Sequence, residues 1–142
     1  MSIKQLSVFA ENKNGSIYEI TKILRDADID ISAFSIADTQ SYGVLRLIVC
    51  DPKKAAAALS SHNKIVNVTE VVGVQIPDTK GGLNELLDVI ASENISVDYL
   101  YAFVSSIAGK AYVVLRVENN ELTEKLLKRY GFTLLTDADI AG

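Results

Sequence analysis

Apolar and polar residues alternate from Ile3 to Ala10 and again along Val72-Gly73-Val74-Gln75-Ile76. That is the period of a strand with one buried face. A glycine-containing turn follows each run, and the period then changes. Ile17, Ile20, Leu24 and Ala27 fall at helical spacing, as do Leu83, Leu86, Leu87 and Ile90, so each turn opens a helix with one apolar stripe. Ser16-Ile17-Tyr18-Glu19 matches a capping box, which predicts that the Ser hydroxyl and Glu carboxylate hold the first free amides of the earlier helix. Mixed apolar stretches, Ile31 to Thr39 and Val97 to Ser105, lead through turns near Tyr42-Gly43 and Ala108-Gly109-Lys110 into Val44 to Cys50 and Ala111 to Val117. These read as two hairpins.

Asp51-Pro52 begins an alanine-rich helix, Asp as cap and Pro at the first position. Its counterpart runs from about Asn120 to Tyr130, with Leu122, Leu126 and Leu127 on the apolar side. The elements therefore come in two sets, each reading β-α-β-β-α-β. Asn14-Gly15-Ser16-Ile17-Tyr18-Glu19-Ile20 aligns with Lys80-Gly81-Gly82-Leu83-Asn84-Glu85-Leu86 at an offset of 66, which grows to 68 by Arg46 to Asp51 against Val114 to Asn119. A two-residue loop difference accounts for the change. Val66 to Ile76 supplies the last strand of one copy and the first of the next, leaving no flexible linker.

The expected architecture is α+β: two ferredoxin-like modules, residues 1–70 and 71–142, with antiparallel sheets packed side by side and helices on one face. A module of about 70 residues buries only roughly 60% of its unfolded surface. Each is expected to be marginal alone, and a homodimer is expected to cover what the pair leaves open.

Composition narrows the chemistry. The chain has 142 residues, 49% hydrophobic and 23% charged, with one Cys, one His and no Trp. No apolar run approaches the roughly 20 residues of a membrane helix, and Cys50 alone forms no internal disulfide. With an N-terminus that lacks a signal pattern, this predicts a cytoplasmic protein that is not a membrane partner. Residues 1–70 carry 8 basic and 8 acidic side chains, while 71–142 carry 6 and 10, giving the net charge of −4. Neither half has the basic cluster that nucleic acid requires.

The chemistry is expected at the two strand-to-helix turns, Asn12-Lys13-Asn14-Gly15-Ser16-Ile17 and Asp78-Thr79-Lys80-Gly81-Gly82-Leu83. Unpaired amides and the positive end of a helix dipole favour a carboxylate there, and glycine lets the backbone approach it. Asn12 and Asp78, three residues before each glycine, can accept from an ammonium group. The combination suits a zwitterion. The same residues also serve as ordinary turn and cap residues, and spacing alone does not separate the two readings.

The doubled element order, the strand followed by Asp/Asn-x-x-Gly-x-Leu/Ile, and the later Ala27-Asp28-Ile29-Asp30-Ile31 and Glu93-Asn94-Ile95-Ser96-Val97 resemble tandem ACT domains over nearly the whole chain. The resemblance implies a ferredoxin-like regulatory module that binds an amino-acid effector at an interface between paired domains. It implicates Asn12, Asn14, Gly15, Ser16, Ile17 and Asp30 in the first copy, and Asp78, Lys80, Gly81, Gly82, Leu83 and Ser96 in the second. Asn14 and Lys80 stand where the family usually has Pro, and Ser96 is shorter than the Asn or Asp often found there. Copy one, with both Asn12 and Asp30, is favoured for the amine contact.

The expected function is a freestanding regulator of itself or of an amino-acid biosynthetic enzyme, without cofactor or metal. The alternative is a partner subunit that keeps the fold but has lost its ligand. A catalyst is disfavoured for want of a nucleophile and base. His62 reads as a surface residue near a helix end, and Cys50 as a small buried apolar residue. Tyr99, Tyr101 and Phe103 alternate and so share one sheet face, Tyr42 and Tyr112 are possible pocket walls, and Lys53-Lys54 and Lys125-Lys128-Arg129 read as solvated helix faces.

Overall fold

The computed structural model describes residues 2–11, 14–38, 42–105 and 107–141. The alternating run at the start is β1 (Ile3–Glu11), and the first helix is α1 (Ser16–Asp26). The hairpin β2 (Ile31–Asp38) and β3 (Tyr42–Val49), helix α2 (Pro52–Ser61) and strand β4 (Val66–Pro77) follow. The second set is α3 (Gly82–Ser92), β5 (Val97–Val104), β6 (Lys110–Val117), α4 (Asn120–Arg129), β7 (Thr133–Leu134) and the short α5 (Asp137–Ala141). Each set is thus a βαββαβ module with β4 serving both. Among the described residues, no helix is long and apolar enough to cross a membrane.

The chain divides into two compact units. One comprises Lys4–Thr69 with Ile140–Gly142, and the other Glu70–Asp139 with Met1–Ile3. They are called the N-terminal and C-terminal unit below.

In the N-terminal unit the strand order is β2-β3-β1-β4. β3 pairs antiparallel with both β1 and β2, through Leu6↔Leu47 and Val8↔Leu45 on one side and Phe34↔Leu47 and Ile36↔Leu45 on the other. The Phe9 N–H donates to the Ile65 carbonyl at 3.0 Å, just ahead of β4. Leu6, Val8, Leu45 and Leu47 pack on Ile20, Ile23 and Leu24 of α1 and on Ala55 and Leu59 of α2. Burying these eight Leu, Ile and Val side chains supplies the main stabilisation, at about 1.5–3 kcal/mol each before entropy is counted.

In the C-terminal unit the order is β5-β6-β4, with β7 pairing β4 on its other side. Val72, Val74, Val113 and Leu115 pack on Leu86 and Ile90 of α3 and Leu127 of α4. Tyr99, Tyr101 and Phe103 do share one face: they stand opposite Arg116, Val114 and Tyr112, while Leu100 pairs with Leu115 on the helix-covered face. Phe103 meets Tyr112 edge to face, with ring centroids 5.1 Å apart.

The backbones of the two modules repeat in detail. Bulges fall between Ile31 and Ala33 and between Val97 and Tyr99. Left-handed residues recur at Asp28 and Asn94 (φ 61 and 57), and at Asn63 and Gly131 (φ 63 and 87). The two-residue offset arises between the end of β2 and the start of β3 in the first module, against the end of β5 and the start of β6 in the second.

Some expectations need correction. Ser16 and Glu19 form no capping box. Gly15 occupies the cap position in a left-handed conformation, so Ser16 is already the first helical residue and no side chain caps α1. Glu19 instead pairs through Oε1 with Lys64 Nζ at 3.0 Å. Ile17 and Leu83, assigned to the apolar stripes, are each 40% exposed, and Leu122 is 57% exposed. In all three cases the residue sits in the first turn of its helix. Asp51 caps α2 as expected, accepting from the Lys54 N–H, and the structure adds Asn119 as the cap of α4, accepting from the Leu122 N–H.

Candidate functional site

The β1–α1 turn is built by one backbone reversal. Gly15 has φ 85 and ψ −2, a conformation that costs an L-residue about 1–2 kcal/mol, and its carbonyl accepts the Glu19 N–H at 2.9 Å. The amides at the start of α1 precede this first intrahelical bond, so they point out of the helix end with the positive dipole behind them. Asn14, Gly15 and Ile17 are exposed, whereas Ser16 is only 7% exposed. Asn12 lies outside the described residues.

A pocket of about 140 Å³ opens beside this turn, lined by Phe9, Ala10, Glu11, Ser16, Ile20, Asn63, Lys64 and Ile65. Its floor is apolar, since Ile20 is 1% and Ala10 7% exposed. Phe9 stacks on Tyr42, with centroids 4.8 Å apart and planes inclined by 26°. Behind the pocket wall lies one polar anomaly. Ser16 Oγ is buried and has no hydrogen-bond partner, although a buried hydroxyl is normally paired. Lys64 adds a cation that Glu19 holds in place, and Glu11 adds a carboxylate. An apolar floor, a helix N-terminus and groups of both charges suit a small zwitterion.

The equivalent turn in the C-terminal unit shares the backbone but not the surroundings. Gly81 has φ 86 and ψ −3, and its carbonyl accepts from Glu85 N–H at 3.0 Å. Asp78, Lys80, Gly81 and Leu83 are exposed, and Gly82 is buried. Gly82 stands where the first module has Ser16. A Cβ there would collide with the Pro77 carbonyl oxygen, so this position has neither a hydroxyl nor room for one. The Asp78 N–H is occupied by the Gly109 carbonyl at 2.8 Å.

Asp30 does not join the turn in its own unit. It lines a separate, open depression with Thr21, Arg25, Asp28, Ile29, Ile31 and Cys50. The 11-residue α1 runs between the two places, a span of roughly 16 Å at the rise of an α-helix. Ser96, which is exposed, likewise follows the far end of α3 from Gly81. The grouping of Asp30 with the Gly15 turn, and of Ser96 with the Gly81 turn, is therefore not met within either unit: the helix that starts at each glycine carries the chain away from it.

Cys50 packs against the N-terminal core, and its Sγ accepts the Asp30 N–H at 3.3 Å. His62 is the exposed C-cap of α2, with Nδ1 2.9 Å from the Ala58 carbonyl oxygen. Among the described residues, no group of three or more His, Cys, Asp or Glu is placed to hold a metal ion.

Sequence reasoning missed most of the pocket wall. Asn63, Lys64 and Ile65 come from the α2–β4 connection, far along the chain, and no local spacing links them to Gly15. Phe9 and Glu11 carried a weak signal as the last outward positions of the alternating β1 run, next to the turn. Tyr42, named for a pocket, reaches it only through its stacking on Phe9.

The model of the ACT domain pair family matches residues 1–141. No curated protein matches the sequence. Among solved structures, protein BT0572 from Bacteroides thetaiotaomicron is 38% identical, with a TM-score of 0.92 over 99% of this chain and 96% of that one. The regulatory subunit of aspartate kinase from Thermus thermophilus shares the fold at 12% identity, with a TM-score of 0.66 over 90% of this chain and 91% of that one. The aspartokinase alpha and beta subunits do so at 17% identity, with a TM-score of 0.61 over 89% and 90%.

Proposed function

The chain belongs to the ACT domain pair family, and from that premise we propose that it is a regulatory protein whose N-terminal unit binds a small amino acid at the β1–α1 turn. Binding modulates the protein itself or a partner metabolic enzyme. The observation that carries this reading is the pocket beside Gly15, with a buried, unpartnered hydroxyl and a helix N-terminus at its wall. The effector's carboxylate meets the first amides of α1, where dipole and donors coincide. Its ammonium group is balanced by Glu11, and its side chain rests on Ala10 and Ile20. Asn12 and Asn14, at the same turn, are further candidates for the polar contacts.

Binding regulates only if the ligand prefers one conformation or assembly, because equal affinity for both shifts no equilibrium. The expected partners are a second copy of the chain and an enzyme of amino-acid biosynthesis. The test is calorimetry against the twenty amino acids. Saturable binding of at least one is expected, weakened about tenfold or more in Glu11→Ala, the scale of a lost charge-assisted hydrogen bond. No binding at millimolar concentration would refute the effector role, and full affinity in Glu11→Ala would move the ammonium contact elsewhere.

A second reading draws on the C-terminal unit, where the Pro77 carbonyl takes the room beside Gly82. On that reading the protein is a partner subunit that keeps the fold without a ligand. Recovery of the same enzyme in affinity purification with and without amino acids would favour it.

A further inference from the structure

We infer that the edge of β2 is a dimer interface: a second copy of this chain adds its own β2 there, antiparallel, in a register centred on Ser35. The inference narrows the second copy named above to one strand and does not depend on the effector.

β2 is the outer strand of the order β2-β3-β1-β4. Phe34 stands opposite Leu47 and Ile36 opposite Leu45, so all four side chains share the helix-covered face of the sheet. Leu45 and Leu47 are each 1% exposed, whereas Phe34 is 68% and Ile36 47% exposed. The apolar face therefore runs on past its helices and ends bare at the edge. Helix α1 borders the same place. Thr21 and Arg25 line a depression with Ile31, which sets that flank of α1 against β2. Tyr18, one turn before Thr21 on this flank, is 65% exposed.

An open strand edge is a template for pairing, and proteins commonly guard one with Lys, Pro, an inward charge or a bulge. From Ile31 to Ala37, β2 has no charge and no Pro, and its bulge lies between Ile31 and Ala33, ahead of Phe34. The equivalent edge of the C-terminal unit differs. At the offset of 66, Phe34 becomes Leu100, Ile36 becomes Ala102 and Tyr18 becomes Asn84, while Asp98 puts an exposed charge in the bulge of β5. The bare aromatic edge belongs to the N-terminal unit.

Self-complementarity selects a second copy as the occupant. Ala33-Phe34-Ser35-Ile36-Ala37 reads small, large, small, large, small from either end. A two-fold axis at Ser35 sets each Phe34 opposite Ile36 of the second copy and each Ala33 opposite Ala37, with the two Ser35 residues facing each other. Large side chains then meet large ones on one face and small meet small on the other, so the strands approach without a clash. A covered aromatic side chain buries roughly 150–250 Å², so the exposed parts of Phe34 and Tyr18 offer roughly 200–330 Å² per copy. That is about a third of the roughly 800 Å² per partner of a standard interface. Ile36, the neighbouring Ile17 and the strand edge itself make up the remainder.

The test is sedimentation of the full chain over a dilution series. A dimer is expected for the native protein, and Phe34→Lys or Ile36→Lys is expected to raise its dissociation constant about a hundredfold or more. Both native side chains are exposed, so circular dichroism should stay native in each variant. The register is read separately. Directly opposite residues of an antiparallel pair lie about 4.5–5.5 Å apart at Cα, within the reach of a disulfide. In a Cys50→Ala background, Ser35→Cys is expected to cross-link two chains under diamide, and Tyr101→Cys, its counterpart on β5, is not. A native protein that stays monomeric at every concentration, or a dimer that survives both lysine substitutions, overturns the interface. A dimer that the lysines break but Ser35→Cys does not cross-link overturns the register. None of these outcomes touches amino-acid binding, so the effector reading stands or falls on its own calorimetry.

Discussion

The two strand-to-helix turns have the same backbone and different surroundings. Gly15 and Gly81 differ by one degree in φ, and each accepts the first intrahelical bond of its helix. Yet one turn borders a pocket with a buried spare hydroxyl, and the other is closed beside Gly82 by the Pro77 carbonyl. The repeat conserves what the fold needs, a reversal that starts a helix. What lies beside the reversal depends on single side chains and on the α2–β4 connection, and those are free to diverge.

Substitution of Gly82 by Ala should have the largest effect. The added methyl meets backbone, which cannot rotate away, so a loss of about 3 kcal/mol is expected in urea unfolding. Ser16→Gly should cost far less at the equivalent site, and similar losses at both positions would refute the proposed difference in packing. Next come Gly15→Ala and Gly81→Ala. Neither added Cβ would meet an atom within 4 Å, so only the left-handed conformation is strained, at about 1–2 kcal/mol in each case. Unequal losses would show that the two turns are not energetically alike.

Removing a helix cap tests the shared frame at a smaller scale. Asp51→Ala and Asn119→Ala each break one cap bond, to Lys54 N–H and Leu122 N–H. Each should lower stability by about 1 kcal/mol, read from the shift in denaturant midpoint. The smallest change is expected from Ser16→Ala, which removes a hydroxyl without a partner. Stability should stay constant or rise by less than about 1 kcal/mol, and a clear loss in thermal unfolding would mean that the hydroxyl already has a partner.

Much of the frame was legible in the residues. The shift of the repeat from 66 to 68 anticipated the longer second hairpin loop, and Val66 to Ile76 was readable as one strand serving two modules, now Val66–Pro77. The capping box was misleading because Ser16 and Glu19 have the right spacing one residue too late. Only the left-handed backbone at Gly15 shows which residue is the cap. The grouping of Asp30 with Gly15 failed within the unit for a simpler reason: α1 lies between them.

Local pattern, then, determined the element order, the duplication and the two glycine reversals, because period, turn chemistry and spacing act over a few residues at a time. Tertiary structure decided what surrounds each turn. That outcome turns on Asn63, Lys64 and Ile65 arriving from a distant connection, on a carbonyl pressed against Gly82, and on a serine hydroxyl buried without a partner. Each is a contact between residues whose proximity only the packed chain creates.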